Sequence, residues 1–383
     1  MNTVIAIDSF KGSLSSFEAG NIAKRSLKKI FPEGEIHVFP LADGGEGTVD
    51  TLVEGLGGKI IHTTATGPLG SATSTRFGHI PEKNTAIIEM ADIAGLTMVP
   101  DDLRNPLNTT TYGLGELIIK ALDMNIKNLI IGIGGSSTND AGLGMLTALG
   151  CKFLKEDGSP VGITGKALKD IKVIDTSMLD KRLAYCNVQV ACDVNNPLYG
   201  PNGCSHIYAP QKGADKDTVL MMDAFIKNFA DLAEKKYNIQ GANMPGAGAA
   251  GGLGYAFYGF LHAELKPGIQ LILDALNISG ALDTANLLIT GEGRIDQQTA
   301  MGKGPCGVAQ LAKKINPEIL TIAVCGCASP EAEAVNDAGI DAYFPILHMP
   351  SSVNEAMKKE TSAINLAQTI TQIGRILGHM HIK

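Results

Sequence analysis

What this chain of 383 residues lacks narrows its function first. It has no block of like charges, and its net charge is −7, from 32 basic and 39 acidic residues. No basic stripe is left for nucleic acid, and no cationic face for an anionic membrane. The start, MNTVIAIDSF, has no basic segment followed by an apolar one, so no secretory signal is expected. No CxxC occurs, and the seven cysteines are scattered, with Cys325 and Cys327 the one close pair. That usage fits reduced, buried thiols in a cytoplasmic protein rather than disulfides or a metal site. The eight histidines are dispersed and HExxH is absent, which argues against hydrolysis at a histidine-bound metal. There is no GxSxG, and no HRD or DFG of the protein-kinase kind. A Walker loop, GxxxxGK[ST], is also missing: Gly302 and Lys303 are followed by Gly304. The one GxGxxG, at Gly246, Gly248 and Gly251, does not follow a strand-like segment, so it is no dinucleotide fingerprint. Residues 237–263 carry no charged side chain, but Asn, Gln, Pro and many glycines interrupt them. A glycine-rich loop entering a packed helix is expected there, not a membrane span.

What is present describes a globular α/β protein. The chain is 44% hydrophobic and 19% charged, enough for a real core, and its length suits two domains or three. Residues 3–7 read as a strand. Ser15 and Glu18 form a capping box ahead of a helix with Ala19, Ile22, Ala23, Leu27 and Ile30 at helical spacing. Residues 36–39 read as a strand and 46–56 as a helix, a βαβα order that implies a parallel sheet. In the middle, strands at 74–77 and 86–90 flank a loop at 81–84, and a helix follows at 112–122. Strands at 287–290, 320–325 and 342–346, each followed by a helical pattern, restore the alternation. The expected architecture is two α/β domains with the active site in the cleft between them. One is Rossmann-like, with a parallel sheet built from both chain ends (1–65 and 286–383). The other is inserted (66–285).

The most informative segment is 128–150, NLIIGIGGSSTNDAGLGMLTALG, which reads as a buried strand, a small-residue turn and a helix. Free N–H groups and the dipole at such a helix start suit phosphate, and a plain strand-to-helix turn with a good N-cap fits equally. Gly134, Gly135, Ser136, Ser137 and Thr138 are the candidate phosphate seat, and Asp140 beside Asn139 adds an anionic group suited to Mg2+. Four further loops pair acids with glycines or small residues: Asp8 to Ser13, Asp43 to Thr48, Cys192 to Pro197, and Gly291 to Asp296. In open parallel sheets ligands gather beyond the carboxyl ends of strands. Carboxylates there can hold a divalent cation or take a hydroxyl proton. Lys11, Arg76, Arg104, Lys212, Arg294 and Lys303 are the nearby cations, with Lys11 and Arg294 inside the acid–glycine loops. The set suits a Mg2+-dependent kinase acting on a small hydroxy acid.

Together the motifs DSFKGSLSS, PLADGGEGT, ATGPLG, IEMADIAGL, RNPLNTTTYGLGELI, GIGGSSTNDAG, ACDVNNPLYGPNG, APQKGA, PGAGAAGGLG and TGEGRIDQQTAMGK resemble the bacterial type I glycerate kinase family. The blocks run in order from residue 8 to residue 303, nearly the whole chain. The resemblance implies ATP-dependent phosphorylation of D-glycerate with Mg2+, with 2-phosphoglycerate the expected product. On this reading ATP phosphates lie on Gly134–Thr138, and Asp193 and Asp296 are the metal ligands or base. Lys11 neutralises the transferring group, Arg76 or Arg294 holds the glycerate carboxylate, and Asp43, Gly44 and Gly45 close the substrate end. The alternatives are 3-phosphoglycerate as product, a related hydroxy acid as substrate, or a non-catalytic binding protein. Intact acids and glycines in every block argue against the last. Oligomeric state is not legible.

Overall fold

The structure, a computed structural model, describes residues 1–380 apart from Asp43 and Lys303. In chain order its strands are β1 (Asn2–Ile7), β2 (Glu35–Val38), β3 (Lys59–Thr66), β4 (Ala72–Ile80), β5 (Thr85–Glu89), β6 (Asn128–Gly132), β7 (Lys152–Leu154), β8 (Val173–Asp175), β9 (Asn187–Ala191), β10 (Glu264–Lys266), β11 (Leu287–Ile295), β12 (Leu320–Ala328) and β13 (Ala342–Pro345). The chain divides into two compact units. The first comprises Met1–Asp43, Glu54–Gly57 and Ile269–Lys383, and the second Gly44–Val53 and Gly58–Gly268.

The first unit carries a five-stranded sheet, order β13-β12-β11-β1-β2, with every pair parallel. Side chains alternate between the faces of a strand, so apolar residues on both faces mean helices on both faces. Val4, Ala6, Leu288 and Ala323 meet Cys306, Ala309 and Ala312 of the helix Gly304–Ile315. Ile5, Ile7, Ile289 and Val324 meet Ala19, Ala23 and Leu27 of the helix Ser16–Lys28, and Leu366, Ile370 and Ile373 of the helix Lys359–His379. The expected capping box opens the helix Ser16–Lys28: Glu18 N donates to Ser15 Oγ (3.1 Å) and Ser15 N to Glu18 Oε2 (3.0 Å).

The second unit carries a six-stranded sheet, order β10-β9-β6-β5-β4-β3. β5, β6, β9 and β10 run parallel, while β4 is antiparallel to both β3 and β5. β7 and β8 form a small antiparallel pair. Its core joins Ile88, Ile131 and Val190 to Leu114, Leu117 and Ile118 of the helix Tyr112–Asp123. Rings of Phe153, Phe229, Tyr255 and Phe260 pack there at 6.0–6.5 Å between centroids. β3 pairs along its length with β4, so this sheet begins at Lys59, ahead of the boundary expected at residue 65. The charge-free stretch enters the short helix Ala249–Tyr255, and its loop packs on the 138–141 turn: Ala141 N donates to Gly251 O at 2.9 Å. A Cβ on Gly251 (φ +69°) would collide with Thr138 O, so glycine there serves backbone packing. Among the described residues no helix is long and apolar enough to cross a membrane.

Candidate active site

In the first unit the strand order reverses between β11 and β1, the switch point where ligands collect in doubly wound sheets. A cavity of about 490 Å³ opens there, lined by residues at the carboxyl ends of β11 and β12 and by residues that follow β1 and β13. The turn after β1 is held by Ser13 N and Leu14 N donating to Phe10 O (2.8 and 3.1 Å), which leaves Lys11 exposed on the cavity wall. Asp8, Glu292 and Arg294 line the same cavity. Asp296 is the N-cap of the helix Gln297–Ala300, accepting from Gln298 N at 2.9 Å. The mostly exposed Arg294 places Nε 3.8 Å from Asp296 Oδ2. Glu292 accepts from Thr299 Oγ1 at 2.7 Å. Burial, reinforced by Asp8 and Asp296, pushes its carboxyl up to about 7 against the pull of Thr299 and Lys11. Lys11, Arg294 and Asp296 are thus neighbours in this unit, with Glu292 and Asp8 among them. The sequence offered Glu292 only as one acid of the GEGR loop; its burial needed the fold.

In the second unit, loops meet at the carboxyl ends of β5, β6 and β9. A Cβ on Gly44 (φ +82°) would fall 2.6 Å from Ala191 Cβ and 2.8 Å from Gly268 Cα, so only glycine fits. One on Gly132 would lie 2.6 Å from Gly44 O. Asp193, exposed just beyond β9, accepts from Gly268 N at 2.8 Å. Gly44, Gly45, Gly134 and Asp193 therefore belong to loops at one end of this sheet. Glu89, at the end of β5, accepts from Gly47 N (3.2 Å) and Val49 N (2.5 Å) and so caps the helix Thr48–Leu56 from a distant strand. Burial pushes Glu89 up to about 7 despite those two donors. Arg76 binds Asp50 through both terminal nitrogens (2.6 and 2.7 Å) and Asp92 through Nε (2.9 Å). Arg104 pairs with Asp101 at 2.7 Å.

The loop after β6 differs from its sequence expectation in one respect. Its helix starts only at Leu143, after Gly142 in the left-handed region (φ +73°). Gly134 and Gly135 are exposed, whereas Ser136 to Asp140 are buried. Ser137 N and Oγ both donate to Ala94 O at 2.9 Å. The fully enclosed Lys212 donates to Ser136 Oγ (2.8 Å) and Thr138 O (2.6 Å), and burial pulls its ammonium down to about 8. Asp140, suited to Mg2+ by type, instead accepts from Thr111 N (2.9 Å), Thr111 Oγ1 (2.8 Å), Gly142 N (3.0 Å) and Gly144 N (3.2 Å). Those donors hold its oxygens inside the fold, because a buried carboxylate must satisfy them there. The accessible part of the loop is the Gly134–Gly135 backbone. Asp43 and Lys303 lie outside the described residues.

A family model described as the glycerate kinase family matches residues 3–378. The glycerate kinase of Haemophilus influenzae is 45% identical over 374 residues, 97% of this chain and 98% of its own. The glycerate 2-kinase of Escherichia coli K12 is 44% identical over 358 residues, 94% of this chain and 93% of its own. A crystal structure described as a glycerate kinase 2 of Salmonella typhimurium LT2 superposes with a TM-score of 0.90 at 40% identity, covering 98% of each chain.

Proposed function

The chain belongs to the glycerate kinase family, and we propose that it transfers the terminal phosphoryl group of ATP to a hydroxyl of D-glycerate with Mg2+, giving 2-phosphoglycerate and ADP. The similarity over nearly the full length to a protein named glycerate 2-kinase is the observation that carries this reading. The geometry supports it with charged groups of the right kind. Lys11 neutralises charge on the transferring group, and Arg294, with one long contact to Asp296, holds the substrate carboxylate. Arg76 is the weaker candidate for that clamp, since Asp50 and Asp92 already engage its guanidinium. Gly134 and Gly135 seat ATP phosphates through exposed backbone, with the buried Ser136 and Lys212 beneath them. Gly44 and Gly45 close the substrate end.

Asp193 and Asp296 are the proposed metal ligands or base. Among the described residues no three His, Cys, Asp or Glu side chains group to hold a metal unaided. A cation held by one or two carboxylates plus substrate phosphates and water suits such a surface, and Mg2+ is that kind of ion. When bound it would stabilise charge on the transferring phosphoryl oxygens.

A coupled assay with D-glycerate, ATP and Mg2+ tests the reading. Signal with enolase alone is the expected result, because only 2-phosphoglycerate is its substrate. Signal that requires added phosphoglycerate mutase would mean 3-phosphoglycerate, and no ADP from the folded protein would overturn the kinase reading. In the same assay Asp193→Asn and Asp296→Asn should each lower kcat by ~10²-fold or more. Near-normal turnover in both variants would remove these acids from the mechanism.

A further inference from the structure

We infer that the cavity beyond β1, β11, β12 and β13 takes the adenine and ribose of a nucleotide, with the Asn365 amide reading the adenine edge and Lys11 at the phosphate end. The inference rests on the kinase reading for the phosphates, but its evidence is the cavity itself. At about 490 Å³ it has the size of a drug-sized ligand site and would leave a short hydroxy acid mostly uncontacted. Its lining divides by origin. Asp8 and Lys11 follow β1 and Glu292 and Arg294 lie at the end of β11, whereas Ile346, Leu347, Val353 and Met357 come from the segment after β13.

Apolar side chains suit the flat faces of a base, and a lysine suits the phosphates beyond the ribose. D-glycerate, with oxygen on every carbon, would desolvate poorly against the same wall. Asn365 lines the cavity from the helix Lys359–His379 and is half-buried, and its side chain makes no hydrogen bond to a described residue. Its amide offers a donor and an acceptor side by side, the complement of adenine N7 and N6. Guanine presents acceptors at both positions and would leave half of the amide unpaired.

Cys327 supplies a reporter, because it lines the cavity and is the exposed cysteine of the seven. The others are buried or half-buried; burial pushes the Cys151, Cys204, Cys306 and Cys325 thiols up to about 12. The full-length protein is alkylated with and without adenosine or guanosine, and Cys327 is followed by peptide mass spectrometry. At ten times its dissociation constant adenosine leaves about a tenth of the sites open, so Cys327 should react about tenfold more slowly. Guanosine should protect less. Protection absent with saturating adenosine, or equal with guanosine, overturns the assignment.

Asn365→Ala gives the second readout. Its KM for ATP should rise several-fold, the loss of one hydrogen bond, while KM for D-glycerate stays put. An unchanged KM for ATP would remove Asn365 from base recognition. Adenosine protection without glycerate turnover would leave the cavity standing and sink the kinase reading; turnover without protection would do the reverse.

Discussion

Two carboxyls, the buried Glu89 and the half-buried Glu292, are held near neutrality for different reasons, and the difference separates support from chemistry. Glu89 receives two backbone N–H groups and keeps a helix start in place. Glu292 receives one hydroxyl, lines a cavity, and faces Asp8 and Asp296. Its native affinity for a proton, raised to about 7 from an ordinary 4.5, has a consequence for stability. Between those values the folded protein keeps a proton that the unfolded chain has released, so stability falls as pH rises through this window. Each tenfold difference in proton affinity is worth about 1.4 kcal/mol. Glu292→Gln carries no such proton and should abolish this share of the decline. Urea unfolding at pH 5 and pH 8 should find the variant gaining on the wild type by about 1 kcal/mol or more at the higher pH. An equal difference at both pH values would mean that Glu292 is not held protonated.

Elements show how a loop can be rigid without regular structure. The stretch between β6 and Leu143 is pinned by Lys212 under Ser136 and Thr138, by Ala94 O on Ser137, and by Asp140 across two helix starts. In Lys212→Met, Ser136 Oγ and Thr138 O lose their donor inside the fold, which costs about 1–3 kcal/mol and should loosen the loop. Hydrogen exchange of peptides over residues 133–140 should quicken. Lys212→Arg should not restore it, because a planar fork does not fit a point-charge site. Unchanged exchange in Lys212→Met would show that the lysine pins nothing.

These contacts also mark where the sequence stops being legible. β1, β11 and β12 were readable because both faces are covered and their apolar runs are nearly unbroken. The Ser15–Glu18 box was readable because both partners are local. β3 was not, since it is an edge strand with a mostly exposed pattern. The inward turn of Asp140 and the capture of Arg76 depend on partners tens of residues away, and no local pattern encodes them. The acid and glycine loops were visible as a set, while their sorting between two sheets awaited the topology.

At the scale of the whole molecule, the chain enters the second unit early and leaves it late, and that order constrains folding. β1 must pair with β11, and Asn2 N reaches Asn286 Oδ1 across 284 residues. In the second unit β3, β4 and β5 are consecutive neighbours, and β5 pairs with β6 from Thr85↔Asn128 onward. Closing the longer loop costs roughly 1.5–2 kcal/mol more than closing the shorter one in an unfolded chain. The second unit removes most of that cost once formed, because its own ends meet: a Cβ on Gly44 would fall 2.8 Å from Gly268 Cα. The first unit should therefore form its β1–β11 pairing after the second unit is built. In pulse-labelled hydrogen exchange during refolding, amides of β6 should be protected before those of β1. Phe229→Ala, which opens the second core, should delay protection of β1. Ser15→Ala, which weakens a cap in the first unit by about 1 kcal/mol, should leave β6 on time. Protection of β1 first, or a delay of β6 in Ser15→Ala, would mean that the chain ends find each other without the second unit's help.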